Sequence, residues 1–145
     1  MRVLLALDES TQAMDEAVRI ARGTGASLTA LFVLDTTWSD YIGHDWLSGS
    51  NSRGGYIEYA GEEDLKEAEA IPKLLLARAE GIDVDVKTVA GRVRDEIIKE
   101  AQAGAYSVLV MGHPFKRGLA VVRDTAKDIL GKLPCSLYLV KTPAQ

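Results

Sequence analysis

One cysteine in 145 residues is too few for an internal disulfide, and a lone thiol at Cys135 fits a reducing cytoplasm. Two histidines, His44 and His113, stand too far apart in sequence to form a metal-ligand spacing. Positive charge is in deficit: 17 Lys and Arg face 21 Asp and Glu, for a net charge of −4. That balance disfavours nucleic acid or an anionic membrane as the main partner, and neither a basic cluster nor an RNA-stacking aromatic motif offsets it. Long apolar runs are missing too. Val3 to Leu7 is apolar after Met1-Arg2 but stops at Asp8, too short for a secretion signal or a membrane span. What remains is one soluble domain over residues 1–145, long enough to bury a core.

The apolar pattern then resolves into alternating strands and helices. Arg2 to Leu7 and Leu28 to Leu34 read as strands covered on both faces. Between them Ser10 and Thr11 are candidate caps for a helix with the stripe Ala13, Ala17, Ile20 and Ala21, ended by Gly23 and Gly25. Asp35 to Gly61 is a long connection carrying Trp38, Tyr41, Trp46, Tyr56 and Tyr59, whose aromatics would pin it to the core or cover a ligand. Glu62 to Ala79 is helical in composition, and Pro72 within it predicts a kink or break. Ile82 to Ala90 alternates as an edge or half-covered strand, followed by a helix through Val93, Ile97, Ile98 and Ala101 that Gly104 ends. Val108 to Met111 is a buried strand, Val122 to Leu133 a helix stopped by Pro134, and Ser136 to Val140 a last strand.

This order predicts an α/β fold: three layers around a doubly wound, five-stranded parallel sheet of order 3-2-1-4-5. Ligands of such sheets sit at the carboxyl ends of the strands where the order reverses, here between the first and fourth strands. That places Asp8 near Gly112. Asp8 could accept hydrogen bonds from a ligand amine or hydroxyl, or cap the following helix. His113 would stand at the crevice mouth as a phosphate donor or acid/base group, or as an ordinary polar loop residue. Cys135, at the start of a buried strand with no His or Asn placed near it, reads as a small core residue.

The ordered set Leu5-Ala6-Leu7-Asp8-Glu9-Ser10, Leu31-Phe32-Val33-Leu34, Gly91 with Glu96-Ile97-Ile98, Val108-Leu109-Val110-Met111-Gly112 and Pro134-Cys135-Ser136-Leu137-Tyr138-Leu139-Val140 resembles the universal stress protein family over essentially the whole chain. The resemblance implies an adenine nucleotide alpha hydrolase-like fold and an adenine nucleotide, ATP or AMP, as candidate ligand. It also implies Asp8 and Val33 flanking the adenine and a homodimer paired through Ser136 to Val140. Nucleotide-binding members carry G-x2-G-x9-G-[S/T] after the fourth strand. Here the position three residues after Gly112 is Phe115, the Gly-Ser/Thr pair falls on Arg123-Asp124, and the spacing is about two residues short. Gly118 is the loop's other glycine. Asp124 at a helix start would occupy the place of an anion and repel a triphosphate, while Arg123, Lys116 and Arg117 supply positive charge. Glu9, where the family usually has Gly, adds a further negative side chain.

The candidate cofactor-binding set is therefore Asp8, Val33, Gly112, His113, Gly118 and Arg123, with no metal and no catalytic residues. The reading favoured is a cytoplasmic, dimeric binding or signalling module of stress response that is not an enzyme and lacks efficient ATP binding. The alternative is an ATP- or AMP-binding version, with or without slow hydrolysis. A phosphoacceptor receiver domain shares the sheet, but Thr88-Val89-Ala90-Gly91 offers no phosphoacceptor Asp and no fifth helix follows Val140. Neither C-x-x-C nor a phosphate loop after the first strand supports a thiol-redox or flavodoxin role.

Overall fold

A computed structural model describes residues 1–35, 66–113 and 129–141. Five parallel strands, β1 (Arg2–Ala6), β2 (Ser27–Asp35), β3 (Val84–Gly91), β4 (Val108–His113) and β5 (Ser136–Lys141), form one sheet of order β3-β2-β1-β4-β5. This is the order the apolar pattern predicts. β1 is central because it is apolar at every position from Val3 onward and has strands on both sides. The helices among the described residues are α1 (Thr11–Thr24), α2 (residues 66–78) and α3 (Val93–Ala103).

Alternation along the strands divides the core into two layers. Val3, Leu5, Leu28, Ala30, Phe32 and Val110 pack against the buried stripes of α1 (Ala13, Met14, Ala17, Ala21) and α2 (Ile71, Leu75). Leu4, Ala6, Leu31, Val33, Leu109 and Met111 pack against Val93, Ile97 and Ala101 of α3, with Ile129. Edge strand β3 sends Val84 and Val86 to the first layer and Val89 to the second.

α1 starts at Ser10, whose hydroxyl accepts from the Ala13 N–H at 3.2 Å, and stops at Gly25, left-handed at φ 69°. Its glycine end is conformational: the backbone there suits a residue without Cβ. Gly23, expected among the terminators, lies inside the helix.

Of the two outcomes expected at Pro72, a kink or a break, α2 excludes the break. Its helical hydrogen-bonded backbone continues through Pro72 from residue 66 to 78 without a break. Proline removes one intrahelical bond, but Ile71, Leu75 and Ala79 are buried on the core face, and that packing holds the helix together. The connection carrying Trp38, Tyr41, His44, Trp46, Tyr56 and Tyr59, and most of the helix expected from Val122, lie outside the described residues.

Candidate functional site

The carboxyl end of β1 is built by three consecutive local devices. Leu7 continues the strand's pairing, its N–H donating to the Leu31 carbonyl at 2.9 Å. Asp8 is next, only 1% exposed, and its Oδ1 accepts the Ser10 N–H at 2.9 Å. Ser10 in turn caps α1. Asp8 is thus not the helix cap: it closes the turn ahead of the cap, a short carboxylate bonding its own backbone two residues on. The cap itself falls to Ser10 because that hydroxyl reaches the N–H three residues ahead.

Strand register sets the rest. Ala6 pairs with Leu31 and Leu5 with Val110, so continuing the ladder puts Asp8 level with Val33 on one side and His113 on the other. Val33 pairs with Val89 and His113 with Lys141. The alternation that turns Leu4, Ala6, Val33, Met111 and Leu137 toward the α3 layer assigns Asp8, His113 and Lys141 to that face. One row therefore crosses the carboxyl edge of the sheet: Val89, Val33, Asp8, His113, Lys141. It runs from apolar through acidic to basic. Val33 is 3% exposed, whereas His113 and Lys141 are exposed.

Gly112 is buried and paired with Val140, and β4 runs one residue past it, so His113 belongs to the strand and not to the loop. Of the six residues expected at the site, Asp8, Val33, Gly112 and His113 meet at this edge. Gly118 and Arg123, with Lys116, Arg117 and Asp124, lie outside the described residues. Lys141, which sequence reasoning did not single out, lies level with His113 through the strand register. Val108 to His113 and Ser136 to Lys141 are strands of the same length that begin in register.

A second polar constellation lies toward the amino end of the sheet. Arg2 bonds the Gly104 carbonyl through Nη1, and its guanidinium lies 4.5 Å from the centroid of the Tyr106 ring. The Tyr106 hydroxyl donates to Glu100 Oε2 at 2.6 Å, and Lys87 Nζ donates to the same oxygen at 3.0 Å. Burial alone would raise the Glu100 pKa, but the bonds from Tyr106 and Lys87 hold it below the usual carboxylate value. Burial, then the Glu100 carboxylate, pushes the Tyr106 phenol up, and the bond to Glu100 raises the Lys87 ammonium. Gly104 is required here because a Cβ would collide with the Tyr106 ring. This cluster ties α3 to β1 and β3 and faces no crevice.

An open groove of about 480 Å³ lies between α1 and α2, lined by Asp15, Val18, Arg19, Arg22, Gly23 and Arg78. Its arginines are engaged: Arg78 with Asp15 at 2.7 Å, Arg22 with the Glu80 carbonyl at 2.9 Å, and Arg19 with Glu16. Arg22 and Arg78 sit in the last turns of α1 and α2, where the helix dipoles favour cations. Cys135 packs against the α3 layer, and burial raises its thiol pKa, the opposite of an activated nucleophile. Among the described residues no group of three or more His, Cys, Asp or Glu could hold a metal ion, and no helix is long and apolar enough to cross a membrane.

A parallel sheet of order 3-2-1-4-5, with an acidic side chain at the end of β1 and polar groups at the end of β4, defines the doubly wound class of α/β domains, whose crevice lies at the carboxyl ends of the strands. Within that class the chain matches the model of the Universal stress protein family over residues 1–141 and belongs to that family. Nothing matches it among curated proteins.

Solved structures are similar across nearly the full length. The universal stress protein UspA from Lactobacillus plantarum is 18% identical with a TM-score of 0.71, covering 97% of each chain. A universal stress protein in complex with cAMP is 16% identical with a TM-score of 0.68, covering 99% of this chain and 98% of the other. One from Archaeoglobus fulgidus in complex with dAMP is 17% identical with a TM-score of 0.65, covering 97% and 98%. The fold is accordingly the one these universal stress protein structures share.

Proposed function

We propose that this universal stress protein is a dimeric, non-catalytic binding module acting in the cytoplasm in stress response. Its crevice takes an adenosine-type ligand carrying few phosphates and does not bind ATP efficiently. The observation that carries the reading is the row Val33, Asp8, His113 across the carboxyl ends of β2, β1 and β4. An apolar wall suits a base, and a buried carboxylate accepts from an amine or hydroxyl. The neighbours with cAMP and dAMP support the ligand class. The sequence after Gly112 opposes a triphosphate, since Arg123-Asp124 replaces the Gly-Ser/Thr pair that would offer N–H groups to phosphate oxygens.

Absence of catalysis is inferred from the chemistry present. The described residues offer no nucleophile paired with a base, and burial pushes the pKa of the one thiol up, away from a reactive thiolate. Dimerisation is inferred from β5, which ends the sheet and exposes Tyr138 (37%) and Leu139 (43%), with Leu130 also exposed. The opposite edge, β3, carries Asp85 and Lys87, charges that discourage pairing. β5 is the edge suited to a twofold mate.

Calorimetric titration of the purified protein with AMP, ADP and ATP plus Mg²⁺ tests the ligand assignment, after its nucleotide content is measured. AMP should bind more tightly than ATP, with ATP binding absent at millimolar concentration. Micromolar ATP binding would sink the reading and favour the ATP-binding alternative, in which Lys116, Arg117 or Arg123 replaces the glycine-rich loop.

A further inference from the structure

We propose that His113 and Lys141 together form the anion-binding end of the crevice, with side chains in place of the glycine-rich backbone that the chain lacks. The inference rests on the adenosine-type reading above and deepens it by assigning the ligand's phosphate to the β4–β5 seam. Three observations carry it.

His113 and Lys141 are register partners in adjacent parallel strands, which brings their Cα atoms to about 5 Å. Alternation puts both side chains on the α3 face, because Leu109 and Met111 precede His113 on that face and Leu137 precedes Lys141. Both residues are exposed, and both end their strands, so their polar heads reach the rim of the crevice.

The order along the row decides which part of a ligand goes where. A base flanked by Val33 and Asp8 leaves the phosphate on the His113 side of the row, one strand from Lys141. An ammonium is a point charge with three donors, and an imidazole adds one directed N–H. Together they match a single phosphate group. A triphosphate would extend beyond these two side chains.

The test compares adenosine with AMP by titration calorimetry on the full chain and on Lys141→Met and Lys141→Arg. Wild type should bind AMP about tenfold more tightly than adenosine, the scale of one charge-assisted contact at a wet rim. Lys141→Met should erase most of that preference while adenosine affinity stays within about twofold, since an exposed side chain is replaced by one of similar length. Lys141→Arg should restore it.

An unchanged AMP-to-adenosine ratio in Lys141→Met overturns the assignment while leaving the adenosine-type reading intact. A parallel fall in adenosine affinity also overturns it, because Lys141 would then act on the fold and not on the phosphate. Failure of wild type to bind either compound overturns the adenosine-type reading itself, and with it this inference.

Discussion

Tyr106→Phe removes one hydroxyl of the amino-end cluster, and its cost can be worked out from the geometry. The ring stays, so the Arg2 stacking at 4.5 Å and the packing against Gly104 are kept. What goes is the hydroxyl that donates to Glu100 Oε2 at 2.6 Å, the dominant bond, and that also accepts from Arg2 Nη2 at 3.4 Å and bonds the Thr29 side chain. Hydrogen bonds to a charged group contribute about 1.5–3 kcal/mol, and the Glu100 side chain is still 15% exposed, which points to the lower end. The competing bond from Lys87 joins a side chain that is 39% exposed, so that pair contributes under about 1 kcal/mol and cannot take over the role of the phenol. The expected loss is about 1.5 kcal/mol at pH 7, or roughly 5 °C in Tm.

Urea denaturation at several pH values reads this out, with m unchanged between variants. The Glu100 pKa is lower in the folded chain than in the unfolded one. Its stabilisation is therefore fully present above the ordinary glutamate value and is lost as pH falls through the depressed one. The difference between wild type and Tyr106→Phe should shrink as pH falls through the depressed folded value, below which Glu100 is protonated in both states. A difference below about 0.3 kcal/mol at pH 7, or one that does not shrink as the carboxylate protonates, refutes the reasoning. Since the cluster lies away from the row at Asp8, ligand affinity should not change.

Ser10→Ala removes the α1 cap and should cost about 1 kcal/mol by the same denaturation assay, while leaving the Asp8 turn, which uses the Ser10 backbone N–H, in place. Leu139→Lys puts a charge on the exposed face of β5 and should convert a dimer to a monomer in light scattering after size exclusion, with the thermal transition of the domain otherwise retained. A dimer that survives Leu139→Lys would place the interface elsewhere.

The sheet was legible in the sequence because its strands are short apolar runs bounded by breakers, and parallel order follows from the alternation of strands with helices. Pro72 does not break α2 because the rule for proline is local, whereas Ile71 and Leu75 hold the helix through tertiary packing. Asp8 was found, but its partner was not: a helix cap and a turn two residues earlier look alike until Ser10 is seen to accept from Ala13. Lys141 and the Arg2, Tyr106, Glu100, Lys87 cluster escaped for one shared reason. Each joins residues from separate elements, brought together by strand register at Lys141 and by the packing of α3 on the sheet at the cluster. Composition has no access to register.

The position of β1 has a further consequence, for the order in which this molecule is assembled. Val3 can pair with Leu28 as soon as the short crossover through α1 is complete, but its other partner, Val108, arrives only after most of the chain has been made. The central seam of the sheet is therefore its most distant contact, and closing it costs the most chain entropy. The apolar wall and the carboxylate of the crevice belong to the early half, and the cationic rim to the late half. A nascent chain holds the first without the second, so the ability to recognise a phosphate is the last property this protein acquires as it folds.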